Sequence, residues 1–128
     1  MTDNVHIDLP LSAKFASTVR AVSASIAAEV GFTVQDIDDL RLGVNEAVSV
    51  LTDVDPDDVD AAETRLHVRF EAGDERLVVA AWRVGVADGD LEIDPLARRI
   101  LTAVVDEFSI DGEGVFTLGK SVSVDAGA

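Results

Sequence analysis

The residues best placed to do chemistry lie on one stretch, residues 38–53, which reads D-D-L-R-L-G-V-N-E-A-V-S-V-L-T-D. Leu40, Val44, Ala47, Val48 and Leu51 recur at steps of three and four, so the stretch is predicted to be a helix with one apolar face against a sheet. Glu46 projects from a second face. One turn further on stands Val50, with Asn45 and Ser49 flanking, so a single carboxylate is set among uncharged neighbours partway along a core helix. On spacing alone such an acid reads as a solvated edge, because most helix acids are exposed. Two other groups invite a chemical reading. Five acids between Asp53 and Asp60 suggest calcium, but the twelve-residue ligand pattern with its central glycine and terminal glutamate is missing, which leaves a solvated acidic loop. Arg98 and Arg99 could meet phosphates, yet they follow one another inside an amphipathic pattern, which makes them surface arginines.

Composition narrows the function classes. The 128 residues fit one domain, residues 1–128, and 48% hydrophobic content lets the chain fold despite a formal charge of -15. Ten basic residues against 25 acidic ones argue against direct nucleic-acid binding, which needs a basic stripe to displace counterions. A basic protein partner suits the charge better. The absence of cysteine removes disulfides, thiolate metal sites and cysteine nucleophiles together. The opening M-T-D-N-V-H-I-D carries acids rather than a basic region ahead of an apolar core, so no secretory signal is readable. The helical pattern over residues 13–30 is interrupted by Lys14, Arg20 and Glu29 and is too polar for a membrane span. The expectation is a cytoplasmic protein without membrane contact.

The elements that must position Glu46 follow from changes of period. Val5, Ile7 and Leu9 alternate with His6 and Asp8, predicting a strand over 5–9 that Pro10 ends or marks as an edge. Ser12 caps a helix over 13–30 whose stripe is Phe15, Val19, Val22, Ile26 and Val30, stopped by Gly31. Thr33 opens the central helix, 34–54, and Asp36 completes an approximate capping box. Residues 64–71 and 76–84 form a hairpin, the second strand apolar on both faces and so central in the sheet. Asp94 caps and Pro95 starts a helix over 95–108, with Leu96, Ile100, Leu101, Val104, Val105 and Phe108 as its buried face. A turn at D-G-E-G leads to a last strand, 115–122. The order of strand, helix, helix, strand, strand, helix, strand predicts an α/β (α+β) two-layer sandwich, with three helices on one face of a sheet of four strand segments.

Four segments carry a family resemblance: L-P-L-S-A-K-F-A-S-T-V-R-A-V, L-R-L-G-V-N-E-A-V-S-V-L, V-A-D-G-D-L-E-I-D-P and G-V-F-T-L-G-K-S-V. Together they resemble the small anti-sigma-factor serine kinases of bacteria, members of the histidine-kinase-like ATPases with the Bergerat fold. The resemblance implies a mixed, mainly antiparallel sheet and an ATP site. It places Glu46 as the general base toward the group attacking the γ-phosphate, and Asp88, followed by Gly89, as the acceptor of the adenine amino group. Where the family has a magnesium-binding asparagine this chain has Val50, whose isopropyl group cannot ligate a hard cation. Asn45 carries the right amide about 100° round the helix. Asp90 and Glu92 replace two glycines that let the backbone approach the nucleotide, and the glycine-rich phosphate lid has no counterpart.

The resemblance thus implies an anti-sigma-factor-like regulator that binds a sigma factor or an anti-anti-sigma (STAS-type) protein, with no cofactor and a vestigial Glu46. The alternative is a working serine kinase with ATP and magnesium. A structural relic with an unrelated partner is a third reading, since fold does not fix function. A homodimer through the first strand and helix is a family expectation.

Overall fold

Two side-chain periods, two and 3.6, divide the chain into strands that show one face to the core and helices that bury one stripe. The computed structural model describes residues 2–55, 63–86 and 91–123. In chain order these form β1 (Asp3–Pro10), α1 (Ala16–Val30) entered through a 3-10 turn at Ala13–Phe15, α2 (Val34–Thr52), β2 (Arg65–Gly73), β3 (Arg76–Val84), α3 (Pro95–Val104), β4 (Glu107–Ile110) and β5 (Phe116–Ser121). The strands lie in the order β1-β2-β3-β5-β4, and every pairing among them is antiparallel. β3 is the central strand and β1 is an edge, as the apolar run and Pro10 predicted.

Local signals set the helix ends. Ser12 Oγ accepts from the Lys14 amide, Thr33 Oγ1 from that of Asp36 at 3.1 Å, and Asp94 Oδ1 from that of Ala97 at 2.7 Å. These bonds satisfy amides that the first turn of a helix leaves without partners. Gly31 ends α1 at φ 102°, a left-handed conformation that costs a residue without Cβ little.

The core lies between the helices and one sheet face. Leu66, Val68 and Phe70 of β2, Leu77, Val79 and Ala81 of β3, and Phe116 and Leu118 of β5 meet Val19 and Ala27 of α1, Leu40, Val44, Ala47, Val48 and Leu51 of α2, and Leu101 and Val104 of α3. Phe70 and Phe116 are fully buried, and truncating either to alanine is the type of change that costs about 3–5 kcal/mol.

Three expectations change. The helix expected over 95–108 stops at Val104, and a fifth strand, β4, follows, so Phe108 packs from a strand beside Leu118 of β5. Leu96 is 67% exposed, and Ala97 takes the buried position in the first turn of α3. In α1 the buried line is Val19, Ser23 and Ala27, with Val22, Ile26 and Val30 only half-buried beside it. Small residues at 23 and 27 let α1 lie close to its neighbours.

Asp36 departs from the capping box. Its carboxylate accepts instead from the Ser123 amide at 3.0 Å and the Ser123 hydroxyl at 2.5 Å. Lys120 follows Phe116 and Leu118 in the core-facing phase of β5. Its ammonium donates to the Val104 carbonyl at 2.9 Å and lies 3.8 Å from Asp36 Oδ1. Burial works against the charged form of Asp36, but the Ser123 hydroxyl and amide, Thr33 and the Lys120 charge outweigh it and hold the carboxyl below its usual range. A depressed carboxyl adds stability above its unfolded pKa, and that stability is lost as pH falls through the folded value. Asp36→Ala should therefore cost about 3 kcal/mol in denaturant unfolding near neutral pH, because it strands a buried ammonium. The gap from wild type should close as pH falls below about 4.

Candidate functional site

α2 puts its apolar stripe into the core, and the chemistry falls on its two flanks. At Gly43 the helix comes so close to α3 and β5 that an added Cβ would meet Val105 Cγ1 at 3.0 Å and Leu118 Cδ1 at 3.6 Å. Glu46 follows Gly43 by three residues and precedes Val50 by four, so the three share the flank that faces α3. Glu46 is half-buried, and its carboxylate takes no hydrogen bond or ion pair among the described residues. Val50 is half-buried and packs against the core.

Asn45 occupies the other flank. Its Oδ1 accepts from Arg20 Nη1 of α1 at 2.7 Å. Arg20, Asp38, Arg41, Leu42 and Asn45 line a groove of about 450 Å³ there. Glu46 and Asn45 are therefore adjacent in sequence and separated by the helix.

The adenine-site candidates Asp88 and Gly89, with Asp90, lie outside the described residues. Glu92 is exposed and lines a second cleft, about 510 Å³, with Leu91, Ile93, Arg98 and the β4 residues Phe108, Ser109 and Ile110. Glu46 lines neither cleft. The Arg98 guanidinium lies 5.5 Å from the Phe108 ring centroid, a cation–π contact. Arg98 and Arg99 are both exposed, as two surface arginines would be.

A magnesium ion does not fit this flank. At the position one turn beyond Glu46 the side chain is hydrocarbon packed on the core, and the neighbouring amide oxygen already holds Arg20. Among the described residues, no group of three or more histidines and carboxylates could hold a metal ion.

No protein-family model matches the sequence. Among curated proteins the chain is 26% identical over 117 residues to the serine-protein kinase RsbW of Bacillus velezensis, across 91% of this chain and 72% of that one. It is 23% identical over 128 residues to the serine-protein kinase RsbW of Bacillus pumilus, across 97% and 79%. The chain is related to the RsbW serine-protein kinases. A crystal structure of the RsbU and RsbW domains of a Mycobacterium tuberculosis protein superposes with a TM-score of 0.60 at 22% identity, over 94% of this chain and 32% of that longer one. This chain thus spans about a third of the Mycobacterium chain and shares the fold of part of it.

Sequence reading did not find the Arg20–Asn45 bond or the Asp36–Lys120–Ser123 cluster. Lys120 did carry a signal, a charge in the core phase of a strand. Arg20 and Asn45 carried none, because each sits on the polar side of its own helix. Packing at Gly43 is directly testable. Gly43→Val should overpack the approach to Val105 and Leu118 and cost about 1–3 kcal/mol in thermal unfolding, despite the better helix propensity of valine.

Proposed function

We propose that this chain is an RsbW-type regulator that works by binding a protein partner, a sigma factor or an anti-anti-sigma protein, with little or no phosphoryl transfer. The observation that carries the reading is the α3-facing flank of α2, where Val50 stands one turn from Glu46 and the adjacent Asn45 is bound to Arg20 on the opposite flank. Phosphoryl transfer is chiefly positioning and charge neutralisation, so a missing metal ligand removes much of what catalysis would use. Glu92, where the resemblance implies a glycine beside the nucleotide, is exposed, and a carboxylate there would repel a triphosphate. The reading takes residues 1–128 as one domain acting in the cytoplasm. Among the described residues no helix is long and apolar enough to cross a membrane.

A second reading, an active serine kinase, is supported by the names of the relatives and by one feature of the site. Glu46 has no partner among the described residues, as a carboxylate that must take a proton from a serine hydroxyl requires.

Calorimetric titration with ATP and magnesium should give a dissociation constant weaker than about 10 µM, equivalent to about 7 kcal/mol. Val50→Asn alone should not restore tight binding. With labelled ATP and a candidate anti-anti-sigma protein, no phosphate should reach serine, and Glu46→Ala should leave partner binding unchanged. Phosphoserine that disappears with Glu46→Ala would establish the kinase instead. Raising salt from about 50 to about 500 mM shortens the Debye length from about 14 to about 4 Å. Association with a basic partner should slow accordingly.

A further inference from the structure

The sheet has helices on one face only, and on the other face the strand register brings both histidines of the chain against its single tryptophan. Asp8, His67 and Trp82 stand directly opposite one another on three neighbouring strands, and His6, two residues before Asp8 on β1, lies diagonal to His67. His67 falls between buried Leu66 and Val68, and Trp82 follows buried Ala81, so the cluster points away from the helices. Core packing therefore does not account for it.

Trp82 serves as a platform for the two imidazoles. Its ring stacks on His67 with centroids 5.4 Å apart and planes 5° from parallel, and on His6 at 5.6 Å. Held this way, His6 Nε2 and His67 Nδ1 face each other at 2.9 Å. The other ring nitrogen of His67, Nε2, lies 3.9 Å from Asp8 Oδ1, and Arg65 Nε donates to that carboxylate at 2.8 Å. An anion on that side favours the tautomer with its proton on Nε2, which leaves the Nδ1 lone pair turned toward His6. A carboxylate behind one imidazole nitrogen, with the other nitrogen free to bind, is the outer-shell arrangement that orients histidine metal ligands. Arg69, opposite His6, is the cation that would oppose an ion here. Its guanidinium lies instead 3.5 Å from Glu71 and 6.0 Å from the Trp82 ring centroid.

The nitrogen separation selects the ion. Two imidazole nitrogens, each about 2.0–2.1 Å from one metal, stand about 2.9 Å apart at a right angle and about 3.3 Å apart at a tetrahedral angle. The observed 2.9 Å fits adjacent positions of a square-planar or tetragonal centre, the geometry of copper(II) and nickel(II), and copper(II) is the tighter binder of the two. His6 is exposed, so water can complete the coordination. The formal charge of -15 raises the concentration of cations at the surface. We propose that His6 Nε2 and His67 Nδ1 form a two-nitrogen site for a divalent transition-metal ion of the copper(II) class, which ties the edge strand β1 to β2. On binding, His6 changes tautomer, its proton passing from Nε2 to Nδ1 through solvent. The two neutral rings thus exchange one hydrogen bond for two metal bonds.

Titration of the whole chain with copper(II), followed through the fluorescence of Trp82, tests this, because the paramagnetic ion quenches an indole stacked on its ligands. Quenching should saturate at one ion per chain, with half-saturation below about 10 µM. His6→Asn and His67→Asn, each with unchanged far-UV circular dichroism, should each weaken binding at least about tenfold. His67 is far in sequence from the N-terminus, so its variant separates this site from chelation by the terminal amine. Electron paramagnetic resonance of the unmodified protein with one equivalent of copper(II) needs no variant and should show splitting from two imidazole nitrogens. Half-saturation above about 100 µM, binding that survives either substitution, or a spectrum with oxygen ligands or a single nitrogen would each overturn the proposal. Neither readout uses nucleotide or a regulatory partner, so the proposal fails or stands apart from the functional reading above.

Discussion

A buried ammonium cannot be left without partners, and at Lys120 that requirement joins three elements. Its head group takes the last-turn carbonyl of α3, lies against the Asp36 carboxylate at the start of α2, and is carried by β5. Loss of any one partner exposes the others to the cost of an uncompensated charge in low dielectric. The same junction brings the end of α3 against α2 near Gly43, and so sets the flank on which Glu46 and Val50 stand. Position at the candidate site is thus inherited from an ion pair outside it.

What the sequence made legible was whatever repeats over several turns or residues. The α2 stripe of Leu40, Val44, Ala47, Val48 and Leu51 is buried as its spacing required, and β3 is central because it is apolar on both faces. β4 escaped because it has four residues, and its Phe108 also continues the helical phase of Leu101 and Val104. Leu96 failed for a related reason: the first turn of α3 overhangs the core edge, so smaller Ala97 is the residue that fits inside. The His6–His67–Trp82 cluster depends on cross-strand register, which no single-strand pattern encodes. At the site, spacing alone put Asn45 and Glu46 on different sides of α2, and the Arg20 bond bears that out.

Charge is divided between faces in a way that matches the fold. The strand side chains on the helix-free face balance their ions pair by pair, and α1, α2 and α3 together hold five acids against four arginines, so nearly all of the acid excess falls outside the described helices and strands. A chain with this division can present a neutral surface and a strongly negative one at once.

The bond between Asp36 and Ser123 spans 87 positions in the chain. β5, just before Ser123, enters the sheet between β3 and β4 rather than adding to an edge. During synthesis the first helices therefore emerge long before the strand that completes their sheet and neutralises the buried acid. Until then the nascent chain lacks the strand that completes the sheet and the partner of the Asp36 carboxylate, so cooperative folding waits until β5 and Ser123 have left the ribosome.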